Sequence, residues 1–428
     1  MNVYFETYGC QMNVSDSKNL TFLLKKKHVI VDDYNLADAV IINTCAIRHT
    51  AEKRIDGRIG FFKNLKGKKN FILIIMGCIA QELKDSLKKN YPFIDYVIGP
   101  YAEKIIPDIL EHKANISNVL TFQDNYEFMV DSKANSVQSF INIIHGCNNF
   151  CTYCIVPYVR GREVSRKSIN IINSINNLTK EGIKEVILLG QNVSSYGKDN
   201  EEIPFEKLLT KISDKTNIDW ITFLTSHPKD FNIKLIDVIS DIKKVLRYFH
   251  IPIQSGSNSV LKLMNRKYST NNYLENISYL REKFPEVSIS TDILVGFPGE
   301  TDDDFKQTIK IMKDVLFDKA FLFKYSDRNF TKAKDMTNKV DEKVKQERLE
   351  YVIDLQQEIT KKKLKSKINN TYKMLVTEKK NKKKEQFFGH NYYFDNIVVE
   401  DKNIKLGDFI NVKITNVSGI TLRGIKID

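Results

Sequence analysis

Six cysteines stand in the 428-residue chain, and their spacing sorts them into two sets. Cys147, Cys151 and Cys154 crowd into "GCNNFCTYC", a C-x3-C-x2-C loop, whereas Cys10, Cys45 and Cys78 are separated by 34 and 32 intervening residues. Three thiolates on one short loop suit three corners of a 4Fe-4S cluster, which leaves the fourth iron open to a substrate or cofactor. A zinc site would ask for a fourth Cys or His at pair-like spacing, and His145 is near enough to keep that alternative in view. An electron-transfer ferredoxin would want a fourth cysteine in this segment, and none is present.

The dispersed set is positioned by its elements. Each of its cysteines follows an apolar, strand-like run directly, in "VYFETYGC", "AVIINTC" and "FILIIMGC". Helix-like segments intervene, "VSDSKNLTFLLKKK" (with Asp16 or Ser15 as its expected cap), "AIRHTAEKRIDGRIGFFKNL" and "IAQELKDSLKKN". This β-α-β-α rhythm predicts a small parallel sheet with helices on its faces. The carboxyl ends of parallel strands share one edge, where ligands bind, so the three thiols can converge there. The alternative is three separate core thiols. A reducing compartment argues against reading the six as a disulfide framework.

After a polar connector at 115–135 a longer β/α series begins. Its strands are expected in "SFINIIHGC", "EVILLGQN", "WITFLTSH", "RYFHIPIQSG", "VSISTDILVGF" and "KAFLFKYS". Six such units predict an open, partial (β/α)6 barrel whose working loops lie at the strand carboxyl ends. Residues 340–363 read as a charged helix with Val344, Leu349, Val352 and Leu355 as its buried stripe. Short alternating strands with Gly turns then predict a small terminal β-barrel. The fold class is therefore α/β throughout the first two of three domains, 1–115, 133–363 and 365–428, with a β-barrel as the third.

Lysine plus arginine number 66 against 53 acids, a net charge of +13, and 11 lysines fall between Lys361 and Lys384. Such a surplus suits a polyanionic partner; a well-solvated face is the plainer reading. The longest apolar run, "FILIIMGCIA", is too short to cross a bilayer, and the chain opens on polar "MNVYFETY" rather than a leader. A soluble, cytoplasmic monomer without membrane contact is expected.

With its aromatic Tyr153 before the third ligand, "GCNNFCTYC" after the first strand of a (β/α) series resembles the radical SAM superfamily. That resemblance implies S-adenosylmethionine (SAM) on the open iron, cleaved on reduction to a 5′-deoxyadenosyl radical. The N-terminal trio narrows it to the methylthiotransferases, which carry a second 4Fe-4S cluster on three cysteines and a terminal RNA-binding barrel of the TRAM type. "TYGCQMNVSDS", "NTCAIR", "GCNNFCTYCIVPYVRGREVSR", "LLGQNVSSYG", "TSHP" and "TDILVGFPGET" are similar to the MiaB family, which acts on isopentenylated adenosine beside the tRNA anticodon. Ribosomal-protein methylthiotransferases tend to read "GCPKN" at the first site and threonylcarbamoyl-adenosine enzymes "GCKVN"; this chain reads "GCQMN". Methylthiotransfer to those other substrates is one alternative, and a non-catalytic iron–sulfur RNA-binding protein is another.

The resemblance implies two 4Fe-4S clusters, on Cys147, Cys151 and Cys154 and on Cys10, Cys45 and Cys78. It also implies two SAM molecules per turnover, as radical source and methyl donor, the anticodon stem-loop of tRNA as substrate, and a flavodoxin- or ferredoxin-like electron donor. Gln191 and Asn192 match the position that contacts the SAM amino group, or form a turn. Gln254 and Ser255 touch SAM or close a loop. Asp292, Gly296 and Gly299 match a strand that passes the adenine, and Tyr153 belongs with them as a cofactor residue. His227 is a SAM contact or a core histidine. Arg160, Arg162 and Arg166 grip tRNA phosphate, or SAM carboxylate, or pair with Glu163 and nearby acids. After "YS-x-R" the chain departs from the family, with Asn329-Phe330 where Gly is usual. "FFGHNYYFDNIVVE" is only loosely TRAM-like.

Overall fold

The computed structural model describes residues 1–46, 49–113, 118–119, 137–381 and 385–427, with side chains at 47–53, 85, 114–136, 381–384 and 428 left aside. The expected connector at 115–135 lies outside the described residues except for a short strand, Asn118–Val119. The N-terminal sheet has six parallel strands, twice the three expected. In spatial order they are Val29–Val31, Asn2–Thr7, Ala39–Thr44, Ile72–Gly77, Tyr96–Ile98 and Asn118–Val119. The three strands that escaped the sequence reading are each two or three residues long. The central strands are apolar on both faces: Ile41, Ile42, Leu73, Ile74 and Ile75 have no exposed surface. Helices cover both sides, and a near-continuous apolar run is what a doubly covered parallel strand requires.

The chain order reverses between the first and third strands, which makes their carboxyl ends the switch point where α/β sheets bind ligands. Helix Gln11–Leu24 begins directly after Cys10. Ser15 and Asp16 therefore lie inside the helix, both buried, and neither caps it as expected.

All six expected core strands are present and parallel in chain order, in two three-stranded sheets. Gln138–Asn142, Glu185–Leu189 and Trp220–Phe223 form one; Tyr248–His250, Ser288–Val295 and Lys319–Lys324 form the other. An Ile221–Val245 bridge and a Ser226 N–H to His250 carbonyl bond of 3.2 Å link the sheets. Amphipathic helices pack outside, their apolar faces joined in one large core. Helix Asp302–Val315 shows the local logic. Thr301 and Asp304 form a capping box at its start, and Leu316 ends it in the left-handed region at φ 53°.

The charged helix runs from Glu342 to Lys365. Its buried face is turned relative to expectation: Lys345, Arg348, Val352, Gln356 and Ile359 point inward, and Val344, Leu349 and Leu355 are half-buried. Polar partners drive the turn. Arg348 pairs with Glu300 and Asp302 at 2.7 Å each, and Gln356 donates to the Phe317 carbonyl at 2.8 Å.

Five strands close the C-terminal barrel, in the order Thr371–Asn381, Gln386–Asn391, Asn396–Glu400, Thr421–Ile427, Phe409–Ser418. The atypical "HNYYFDN" segment docks it onto the core. Trp220 packs against His390, Tyr392 and Phe409, and His390 Nε2 lies 2.8 Å from Glu185 Oε2 with both residues buried. Among the described residues, no helix is long and apolar enough to cross a membrane.

Candidate functional site

Cys10, Cys45 and Cys78 end three adjacent strands, and their sequence surroundings explain how closely they approach. An added Cβ on Gly9 would stand 2.7 Å from Cys45 Cβ, and one on Gly77 would meet the Asn43 side chain and the Thr44 carbonyl at 2.5 Å. Glycine before the first and third thiols is thus a requirement of close approach. Asn13, fully buried, ties the strand ends together: its amide donates to Asn43 Oδ1 at 2.9 Å and to the Thr44 carbonyl at 3.1 Å, and its Oδ1 accepts from Cys10 Sγ at 3.3 Å. A hydrogen bond from Cys45, opposed by burial and aided by Arg160, lowers the Cys10 thiol to about 6. The thiolate form so favoured is the one that can ligate metal.

Arg160 enters this site from the segment following the other cysteine loop. Its Nε donates to Cys78 Sγ at 3.3 Å and its Nη2 to Asp16 Oδ2 at 2.8 Å. The Tyr101 hydroxyl donates to the Arg160 carbonyl. Arg160 is fully buried, and its Nη1 has no hydrogen-bond partner among the described residues. A spare donor on a permanently charged guanidinium beside three thiols fits an anionic group seated among them.

On the second loop, Asn149 Nδ2 donates to Cys147 Sγ and Arg266 Nη1 to Cys151 Sγ, both at 3.3 Å. Arg266 is itself buried and fixed by the Pro252 carbonyl and Tyr268 hydroxyl at 2.9 Å. Asn265 donates to the Phe150 carbonyl at 3.0 Å, which holds the loop's backbone. Burial pushes Cys147 up to about 11 and raises Cys154 further, so metal must displace protons to bind here. Among the described residues, no three His, Cys, Asp or Glu donors close on one point as a single ion demands. A cube of iron and sulfur takes its thiolates at separate corners.

Comparison with known proteins gives the decisive observation. Residues 141–312 match the Radical SAM superfamily, and residues 2–99 match Uncharacterized protein family UPF0004. The tRNA-2-methylthio-N(6)-dimethylallyladenosine synthase of Treponema denticola is 42% identical over 99% of both chains. The chain belongs to that synthase family. Synthases of the same name from Thermoanaerobacter pseudethanolicus (41%, covering 100% of this chain and 93% of that one) and Thermodesulfovibrio yellowstonii (42%, 99% and 98%) agree. At the level of fold, the chain is similar to the radical SAM methyltransferase TsrM of Kitasatospora setae, with TM-score 0.57 at 11% identity over 78% and 77% of the two chains. Radical SAM membership implies a 4Fe-4S cluster and SAM.

The remaining family positions are placed as follows. Tyr153 packs edge-on against Phe297 at 6.4 Å, beside the cysteine loop. Asn192 is buried and committed, donating to Asp230 at 2.6 Å and accepting from the His227 N–H at 2.8 Å; Gln191 stands half-exposed next to it. Gln254 lies at φ 72° and is held by backbone bonds to Asp292 and Leu294, and Ser255 is buried near Thr308. Asp292 is half-buried, 3.6 Å from His250. Gly296, at φ 70°, donates its N–H to Glu300, and Lys345 leaves no room for a Cβ there. The positive φ and close packing explain that glycine without a ligand. His227 is buried, and burial holds it neutral.

The three arginines separate. Arg160 was expected on tRNA phosphate or SAM carboxylate, or paired with nearby acids; the structure holds the last arrangement, a buried side chain bound to Asp16 and Cys78. Arg166 is mostly buried, with Nη2 donating to Ser174 Oγ at 2.7 Å. Arg162 alone is exposed. Sequence reasoning missed Arg266, Asn265, Asn13 and Asn43. The run "MNRKYS", polar residues directly after an apolar helix, was the available signal for the first two.

Proposed function

We propose that the chain is the MiaB-type tRNA methylthiotransferase its family implies, replacing the C2 hydrogen of N6-isopentenyladenosine at position 37 of tRNA with a methylthio group. The observation that carries this reading is Arg160. It leaves the segment behind Cys147, Cys151 and Cys154 and ends among Cys10, Cys45 and Cys78, so the two cysteine sites belong to one working centre. Cys147, Cys151 and Cys154 would hold the SAM-binding cluster, and Cys10, Cys45 and Cys78 the auxiliary one. When bound, the clusters and two SAM molecules supply hydrogen abstraction, sulfur and the methyl group.

The chain's own residues prepare that chemistry. Arg266 and Asn149 orient two thiolates of the cysteine loop, and Arg160 orients Cys78 and balances charge in the auxiliary site. Tyr153, Gln191, Gln254 and Asp292 would contact SAM. Three functional units, 1–115, 133–363 and 365–428, divide these tasks in a cytoplasmic monomer served by a flavodoxin- or ferredoxin-like donor.

The test is anaerobic reconstitution followed by incubation with SAM, a reductant and anticodon stem-loop RNA carrying isopentenyladenosine. Formation of 5′-deoxyadenosine and 2-methylthio-isopentenyladenosine supports the reading. Turnover of threonylcarbamoyl-adenosine RNA or a ribosomal protein instead refutes it.

A further inference from the structure

Four side chains outside the cluster chemistry form a continuous ladder between the two cysteine sites. The Arg162 guanidinium lies 4.3 Å from the Phe150 ring centroid. Phe150 meets Tyr158 edge-on at 6.2 Å, and Tyr158 faces Phe330 at 6.2 Å with their planes 33° apart. Phe150 sits between Cys147 and Cys151, Tyr158 lies four residues beyond Cys154, and Phe330 follows the last core strand. Asn329 anchors that last loop to the N-terminal unit, donating to Glu82 Oε1 at 3.0 Å, on the helix that begins at Cys78.

Packing does not account for the ladder's outer end. Phe330 is 57% exposed, and it holds a left-handed backbone at φ 65°; Phe150 does the same at φ 47°. Bulky aromatic residues rarely take that conformation, and strain kept at an exposed position marks function rather than core formation. Exposed cations stand nearby: Arg162 over Phe150, and Lys332 and Lys334 a few residues beyond Phe330 in the chain, Lys334 donating to Asn329 Oδ1 at 2.9 Å. Aromatic faces interleaved with cations are the recognition chemistry of unpaired nucleotides, whose bases stack while their phosphates meet positive charge. A duplex already stacks its own bases, and an apolar protein partner would leave these cations unmatched.

We infer that Phe330, with Tyr158, Phe150 and Arg162 behind it, is a stacking platform for an unpaired base of the RNA loop that enters between the two cysteine sites. This rests on the tRNA reading above and adds a residue-level determinant of RNA loop binding. The test measures affinity of full-length reconstituted protein for the isopentenyladenosine stem-loop, across a range of salt. Phe330→Gly removes the ring and suits the positive φ, so the thermal midpoint and iron content should not fall. Its affinity should drop roughly 5- to 100-fold at unchanged salt slope, as loss of one stacked base predicts, while Phe330→Trp stays within about twofold of wild type. Equal affinity for Phe330→Gly and wild type overturns the platform. Wild-type protein that does not bind the RNA overturns the tRNA reading itself, a distinguishable result.

Discussion

Arg160 and Asp16 form an ion pair with side chains only 1% and 3% exposed, drawn from positions 144 residues apart. Removing the cation strands a buried carboxylate, so Arg160→Met should destabilise the protein by about 3–5 kcal/mol, and adding Asp16→Asn should recover much of that loss. Denaturant midpoints of the single and double variants check both. At the same site, Cys10→Ala should reduce iron from about eight to about four per chain and abolish thiolation, while 5′-deoxyadenosine still forms. Retention of eight irons would remove Cys10 from the ligand set. The convergence of Cys10, Cys45 and Cys78 at adjacent strand ends was legible in the sequence, because each follows an apolar strand-like run directly. The role of Arg160 was not. A long-range ion pair leaves no local pattern, and an arginine behind a cluster loop reads equally well as a phosphate contact.

Elements announced themselves where periodicity was long. The six core strands and the helix Glu342–Lys365 were visible, even the three-residue Tyr248–His250 because it sits in the longer run "RYFHIPIQSG", whereas Val29–Val31 lies between charged residues, and buried Arg348 and Gln356 turned the helix away from its apolar stripe. The same limit hid the docking role of the "HNYYFDN" segment. Burial opposes charge on His390, but Glu185 holds it above its ordinary 6.5; burial likewise opposes charge on Glu185, and His390 holds it below 4.5. The histidine's contribution is complete below pH 6.5 and is lost as pH rises through its raised pKa. The carboxylate's is complete above pH 4.5 and is lost as pH falls through its lowered pKa. The melting-temperature gap between wild type and His390→Gln should therefore be widest between pH 4.5 and 6.5 and narrow as pH rises through the raised histidine pKa. One helix end offers a gain instead. Leu316, 44% exposed at φ 53°, is a left-handed cap, and Leu316→Gly should add about 0.5–1 kcal/mol in denaturant unfolding.

For the whole molecule, a net charge of +13 predicts tRNA affinity that falls steeply as salt rises. The lysine-rich segment is not uniformly available for that purpose: Lys363 pairs with Asp318 at 2.7 Å, and Lys367 and Lys379 hold Asp395 and Glu385. Cutting the chain near 365, an obvious way to isolate the barrel's contribution, would also uncover Trp220 and Leu246, which are buried with Leu375 of the barrel. Exchanging exposed lysines such as Lys361, Lys362 and Lys365 for glutamine in the intact chain separates charge from docking, and should lessen the salt slope of tRNA binding. The central claim, methylthiolation of isopentenyladenosine in tRNA, is tested most directly by nucleoside mass spectrometry of tRNA from cells lacking this protein. The account predicts that 2-methylthio-isopentenyladenosine disappears and unmodified isopentenyladenosine accumulates. Persistence of the methylthio mark would contradict it.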